Sequence, residues 1–216
     1  MKHEKKLIFT KDLKVDFLLA IFVMCLILAN ILGTKIIDLF GIRVSFGIFF
    51  VPVMFLVTDI IAEVYGKKKA TSFVYIGIFV MVVSLIMIYF SIIAPANITW
   101  GNQEAYSNIF SATLRMTFAS IIAFMISQLH DVWSFDFIKK KTKDKYLWLR
   151  NNVSTIVSQF IDTTIFMFIA FYNISPKFSV GFIFSLIIPY WIFKIIFAIL
   201  DTPLVYLGVW WLKKED

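Results

Sequence analysis

Apolar residues run along this chain in long unbroken tracts, and polar positions gather into short clusters between them. Neither the alternation of a half-buried strand nor the one-sided stripe of a surface helix is visible. A helix needs about 20 mostly apolar residues to cross a hydrocarbon core. Six tracts approach that requirement, at about 17–32, 45–62, 71–94, 109–129, 152–172 and 182–212. The last is too long for one upright span. Pro189 has no amide proton and disfavours helix in the residue before it, so we read 182–188 as a lead-in and 189–212 as the span. The pattern predicts an all-α, six-helix transmembrane bundle. Residues 1–216 form a single integral membrane domain, because the longest polar stretches, 94–108 and 134–151, are only loop-sized. The first tract is short enough to suggest a signal peptide, but no small-residue cleavage pattern follows it, and we keep it as a span.

Composition agrees with this reading. Apolar residues make up 60% of the chain and charged residues 16%, against about 45–50% and about 25% in soluble domains. Soluble enzymes and nucleic-acid binders are thereby excluded, and the lipid bilayer becomes the first partner. The net charge of +7 follows topology and does not follow a polyanion-binding face. Lysine and arginine number five in residues 1–16, three at Lys67 to Lys69, six in 139–150 and two in the tail, Lys213 and Lys214. The opposite side holds three, Lys35, Arg43 and Lys177. Because cytoplasmic loops carry the excess, both termini are expected in the cytoplasm. Trp133, Trp148, Trp210 and Trp211 flank the cytoplasmic ends, and Trp100 lies in an outer loop, where indole rings favour the interface. Cys25 sits in an apolar tract and the two histidines, His3 and His130, are far apart. No disulfide framework and no metal-ligand spacing results, and no cofactor is expected.

Polar side chains inside spans cost about 2.5–3.5 kcal/mol each on insertion scales, so each is a functional candidate. Asp59 and Glu63 are one turn apart and share a helix face, although Glu63, followed by three lysines, also suits a plain interfacial position. A Ser-Gln-x-x-Asp pattern recurs after 31 residues, as Ser127, Gln128 and Asp131 and again as Ser158, Gln159 and Asp162. In the second copy it falls near mid-bilayer. The alternative for Asp162 is a buried ion pair with Arg115 or Lys194, or an inter-helix hydrogen bond. Lys194 and Asp201 share a face two turns apart, too far to bridge within one helix. Asp201-Thr202-Pro203 marks a proline-weakened turn of the kind that lines cavities. Asn30 is either a ligand contact or packing glue. A Gln beside an Asp suits a purine-like edge, because a carboxylate accepts adjacent N–H donors while an amide donates to a carbonyl. Tyr190, Trp191 or Phe160 could stack on such a ring. Spacing alone stops at a pathway for a polar solute or an ion.

Five strings carry a resemblance: ANILGTKIIDLFG from Ala29, FVPVMFLVTDIIAEVYGKKKA from Phe50, SQLHDVWSFDFIKKKT from Ser127, LRNNVSTIVSQFIDTTIFMFIAF from Leu149 and KIIFAILDTPLVYLG from Lys194. Together they resemble the queuosine precursor transporter family, whose members also go under a vitamin-uptake label. The resemblance runs over nearly the whole chain. It implies a bacterial inner-membrane importer of 7-cyano-7-deazaguanine or 7-aminomethyl-7-deazaguanine for making the tRNA base queuosine. The matching polar positions are Asn30, Asp59, Glu63, Gln128, Asp131, Arg150, Asn151, Asn152, Gln159, Asp162, Lys194 and Asp201.

The leading expectation is therefore a carrier in which Asp162, Gln159 and Asp59 hold the base, with Asn30, Glu63, Gln128, Asp131 and Asp201 as further substrate candidates. Asp201 is expected to join Lys194 in a gate or coupling pair, with Arg115 and Asn152 beside them. The alternative is a substrate-binding subunit of an energy-coupling-factor vitamin transporter, although the first span lacks the Ala-x-x-x-Ala face usual there. Neither a zinc-protease motif nor a nucleophile elbow is present, so an enzyme is not expected. A homo-oligomer is compatible with this size, and the sequence identifies no interface.

Overall fold

The computed structural model describes residues 10–39, 41–143, 145–173, 176 and 179–214. Lys2, His3, Lys5, Lys6, Lys177 and the side chain of Arg43, all used above, lie outside the described residues. The elements run α1 Lys11–Ile31, β1 Ile36–Leu39, β2 Ile42–Ser45, α2 Phe50–Tyr65, α3 Lys67–Ile93, α4 Gln103–Lys141, α5 Leu147–Phe171 and α6 Val180–Lys213. Among the described residues, six helices are long and apolar enough to cross a membrane.

α1 starts earlier than its apolar tract suggests. The Thr10 hydroxyl accepts from the Leu13 amide at 3.3 Å and caps the helix there. Lys14 then lies buried along its stem, with its ammonium donating to the Lys214 carbonyl at 3.1 Å and sitting over the Trp211 ring. The first turn of α1 and the end of α6 thus meet on one side of the bundle.

α2 is the most enclosed helix and packs against α1, α3, α4 and α6. Phe22, Met54, Ile61, Phe73 and Val205 form the centre of the core around it. Gly66, with φ +80, turns α2 directly into α3. Phe79, Ile86, Met87 and Phe90 of α3 and Ile196, Ile199 and Leu200 of α6 face outward. A contiguous apolar belt of this kind is what lipid covers. Trp133, Trp148 and Trp210 are exposed as well.

Three further features depart from the sequence expectation. The first is α6, one unbroken 34-residue helix carrying Pro189 and Pro203 inside it, so no break separates 182–188 from the rest. It rises about 51 Å at 1.5 Å per residue. Prolines are tolerated in membrane helices when nearby groups satisfy the backbone, and around the second one the Thr202 hydroxyl donates to the Ala198 carbonyl at 3.2 Å. The second is α4, which continues through residues 134–141, expected as loop. Lys140 pairs with Asp136 one turn back at 2.7 Å, and three lysines in the last turn complement the helix dipole. The third is a two-stranded antiparallel hairpin in the loop after α1, with Ile36 opposite Ser45 and Leu39 opposite Ile42.

Candidate functional site

Helix packing leaves a cavity of about 100 Å³ between the C-terminal end of α1, the start of α2 and the middles of α4, α5 and α6. A water needs about 10–15 Å³ on this measure, so several fit. Its walls are mainly apolar, with Phe55, Phe124 and Phe166 among them, and a few polar side chains converge from five elements. That combination is typical of small-molecule sites.

The strongest polar feature is an ion pair. Lys194 Nζ of α6 lies 2.9 Å from Asp162 Oδ2 of α5 and 3.0 Å from Thr163 Oγ1. The other Asp162 oxygen accepts from the Ser127 hydroxyl of α4 at 3.2 Å. Lys194 and Asp162 both line the cavity, and their side chains are 7% and 17% exposed. Asn30 lines it from α1. Its amide nitrogen donates to the Leu26 carbonyl at 2.8 Å, and its Oδ1 has no donor among the described residues.

The hairpin end of the cavity is fastened by Ser45 and Tyr190, which both line it. The Ser45 amide donates to the Tyr190 hydroxyl at 2.7 Å, and the Ser45 hydroxyl donates to the Gly33 carbonyl at 2.6 Å. Gly47 lets this turn press on α1, since a Cβ there would meet the Ala29 carbonyl oxygen at 2.5 Å.

A buried polar column continues beyond the cavity. The Thr58 hydroxyl lies 3.4 Å from Gln128 Oε1, and the Thr155 hydroxyl donates to Asp59 Oδ2 at 3.2 Å. Asp59 faces Asp131 across α2 and α4. At the far end, Glu63 is held by the Arg150 guanidinium and by Lys139 Nζ, which is 3.2 Å from the carboxylate and also donates to the Glu63 carbonyl at 2.9 Å. Arg150 is 1% exposed and lies over the Phe135 ring.

The structure thus sorts the expected residues into groups. Asn30, Asp162 and Lys194 reach the cavity. Asp59, Asp131, Gln128 and Gln159 are buried in the column and are not among the cavity walls. Glu63 belongs to the terminal ion cluster. Lys194 reaches Asp162, and Asp201 sits half-buried where it interacts with Asp59, so the grouping of Lys194 with Asp201 does not form. Asn152 ties α5 to α6 by donating to the Thr202 hydroxyl at 3.0 Å. Arg115 is exposed against Leu85, Tyr89 and Phe90, away from the column. Of the three stacking candidates only Tyr190 lines the cavity, because Phe160 and Trp191 pack on each other and the indole donates to the Ile156 carbonyl at 2.9 Å. Ser45, Ser120 and Thr163 were not singled out from the sequence. Each is a small hydroxyl inside or beside an apolar tract, a pattern without chemical signature until helices pack. Among the described residues no group of three His, Cys, Asp or Glu side chains is placed to hold a metal ion.

Comparison with known proteins adds to this geometry. A family described as "Putative vitamin uptake transporter" matches residues 45–208. The "Probable queuosine precursor transporter" of Bacillus subtilis is 34% identical over 150 residues, 68% of this chain and 65% of that protein. The "Queuosine precursor transporter" of Escherichia coli is 26% identical over 193 residues, 88% and 84% of the two chains. A Haemophilus influenzae protein named "Probable queuosine precursor transporter" is 25% identical over 139 residues, 64% and 57%. The chain therefore spans just under two thirds of the Bacillus relative. No solved structure matches it.

Proposed function

We infer that this chain, which belongs to the vitamin uptake transporter family matched over residues 45–208, carries a queuosine precursor across the membrane that its six helices span. The names of its curated relatives support the substrate class, and the cavity supports the mode of recognition.

The observation that carries the reading is the Lys194–Asp162 pair at the cavity wall. An ammonium has three donors. Two are directed to Asp162 and Thr163, which leaves one for a ligand carbonyl. A carboxylate has about four acceptor positions, and Asp162 uses two of them on Lys194 and Ser127. A donor and free acceptor positions side by side complement the carbonyl and adjacent N–H groups of a guanine-like edge. The spare Asn30 oxygen adds another acceptor, and Phe55 or Phe124 offers an aromatic face. The base carried is 7-cyano-7-deazaguanine or 7-aminomethyl-7-deazaguanine. Import proceeds across a bacterial inner membrane, with both termini in the cytoplasm, a reading that the lysine and arginine distribution supports.

The test is rescue. Cells unable to make the precursor, given low external precursor, should regain queuosine in tRNA when they express this chain, and no rescue from a well-expressed chain would overturn the reading. Uptake into vesicles lacking any ATPase separates a self-contained carrier from an energy-coupling-factor subunit.

A further inference from the structure

Two carboxylates that the cavity does not use lie face to face in the interior, Asp59 on α2 at 2% exposure and Asp131 on α4 at 0%. Asp131 is surrounded by the Ser154, Thr155 and Ser158 hydroxyls, and neither of its oxygens has a close hydrogen bond or a cation among the described residues. The cations of the same column are engaged elsewhere, Arg150 and Lys139 on Glu63 and Lys194 on Asp162.

A second observation does not depend on the acids. Asn151, Thr155 and Gln159 stand at i, i+4 and i+8 on α5, so they share the face from which Thr155 reaches Asp59. Asn151 Oδ1 and Gln159 Oε1 are buried, and neither has a donor among the described residues. The unpartnered donors of the column are the Gln128 amide nitrogen, a turn from Asp131, and Arg150 Nε, next to Asn151 in sequence. Two buried carboxylates in contact are costly unless positive charge enters between them.

The charged and titratable groups around the pair are few. On α2 there is Glu63, neutralised by Arg150 of α5 and Lys139 of α4. On α6 there is Asp201, which adds negative charge. On α4 there is half-buried His130, whose Nδ1 is 2.9 Å from the Ser158 hydroxyl, itself beside Asp131. That chain of groups leads from the rim of the bundle to the pair.

We propose that Asp59 and Asp131 form a monovalent-cation site, separate from the substrate cavity, which takes up one proton or one sodium ion and couples its movement to that of the substrate. The bound cation bridges the two carboxylates beside the Thr155 hydroxyl. This rests on the transport reading above and adds its driving force.

The test uses the full chain in liposomes with labelled 7-cyano-7-deazaguanine. Counterflow, which needs no ion gradient, reports the carrier itself, and accumulation under an imposed pH or sodium gradient reports coupling. The wild type should accumulate label several-fold under one of the two gradients, which identifies the cation. Asp131→Asn should keep counterflow and lose accumulation. Undiminished accumulation by Asp131→Asn, or wild-type accumulation that ignores both gradients, overturns the proposal. Loss of counterflow as well in a folded variant also overturns it, by placing Asp131 in the substrate site. Absent wild-type counterflow refutes the transport reading instead. The melting temperature of the purified protein then still decides, in the wild type and in Asp59→Asn. It should rise with sodium or with falling pH in the wild type, and that rise should vanish in the variant. No wild-type response to either cation overturns the site.

Discussion

Lys194 Nζ sits 2.9 Å from Asp162 Oδ2, and the other Asp162 oxygen takes the Ser127 hydroxyl at 3.2 Å, so three helices meet on one carboxylate at the cavity wall. A ligand that competes for Asp162 therefore acts on the α4, α5 and α6 contacts together.

Lys194→Met leaves Asp162 as a buried carboxylate without its cation, a loss of about 3–5 kcal/mol for an interior pair. Precursor uptake should fall at least tenfold at unchanged membrane expression. Asp162→Asn should do the same, and the double variant should be no worse than either single one. Arg115→Ala, on the exposed flank, is the control and should stay within about twofold, the range of surface substitutions of about 0.5 kcal/mol. Additive losses in the double variant would mean that the two residues act separately.

The terminal cluster makes an asymmetric prediction. Glu63→Gln strands the fully buried Arg150 without a carboxylate, whereas Arg150→Met leaves Glu63 with Lys139 at 3.2 Å. Glu63→Gln should lower the melting temperature more than Arg150→Met, and adding Arg150→Met to it should recover part of the loss. Thermal unfolding of the purified protein measures this, and the reverse ranking would contradict the charge accounting.

Gly47→Ala forces a Cβ to 2.5 Å from the Ala29 carbonyl oxygen, which is backbone and cannot swing away. Overpacking of this kind costs about 1–3 kcal/mol. The variant should show a lower melting temperature and reduced uptake, whereas Gly181→Ala, in the first turn of α6 with open space around it, should keep the cavity intact.

Tyr190→Phe removes the acceptor of the Ser45 amide. One hydrogen bond contributes about 0.5–1.5 kcal/mol net, equivalent to about two- to tenfold. Half-saturation for the precursor should rise by that factor with maximal uptake little changed. A fall in maximal uptake alone would place the hydroxyl in the transport step and not in binding.

Much of this protein was legible as a string. Long apolar tracts report helices directly, since in lipid every backbone polar group must be satisfied within its own segment. The high cost of intramembrane charge likewise marked Asp59, Asp162 and Lys194 as residues that need partners. The extent of α4 and the continuity of α6 through Pro189 were hidden, because hydropathy marks lipid contact and helices run past it where local pairs and caps allow.

The amino-acid order by itself determined the number of spans, the expected orientation and the list of polar groups that needed partners, since each depends on local composition alone. Which group meets which was settled by packing. Lys194 stands two turns from Asp201 on its own helix yet reaches across to Asp162, and Asp59 turns to Asp131 on α4 and not to the cavity. Helix rotation and crossing decide such contacts, and they arise from how whole side-chain surfaces interlock, which no single segment records.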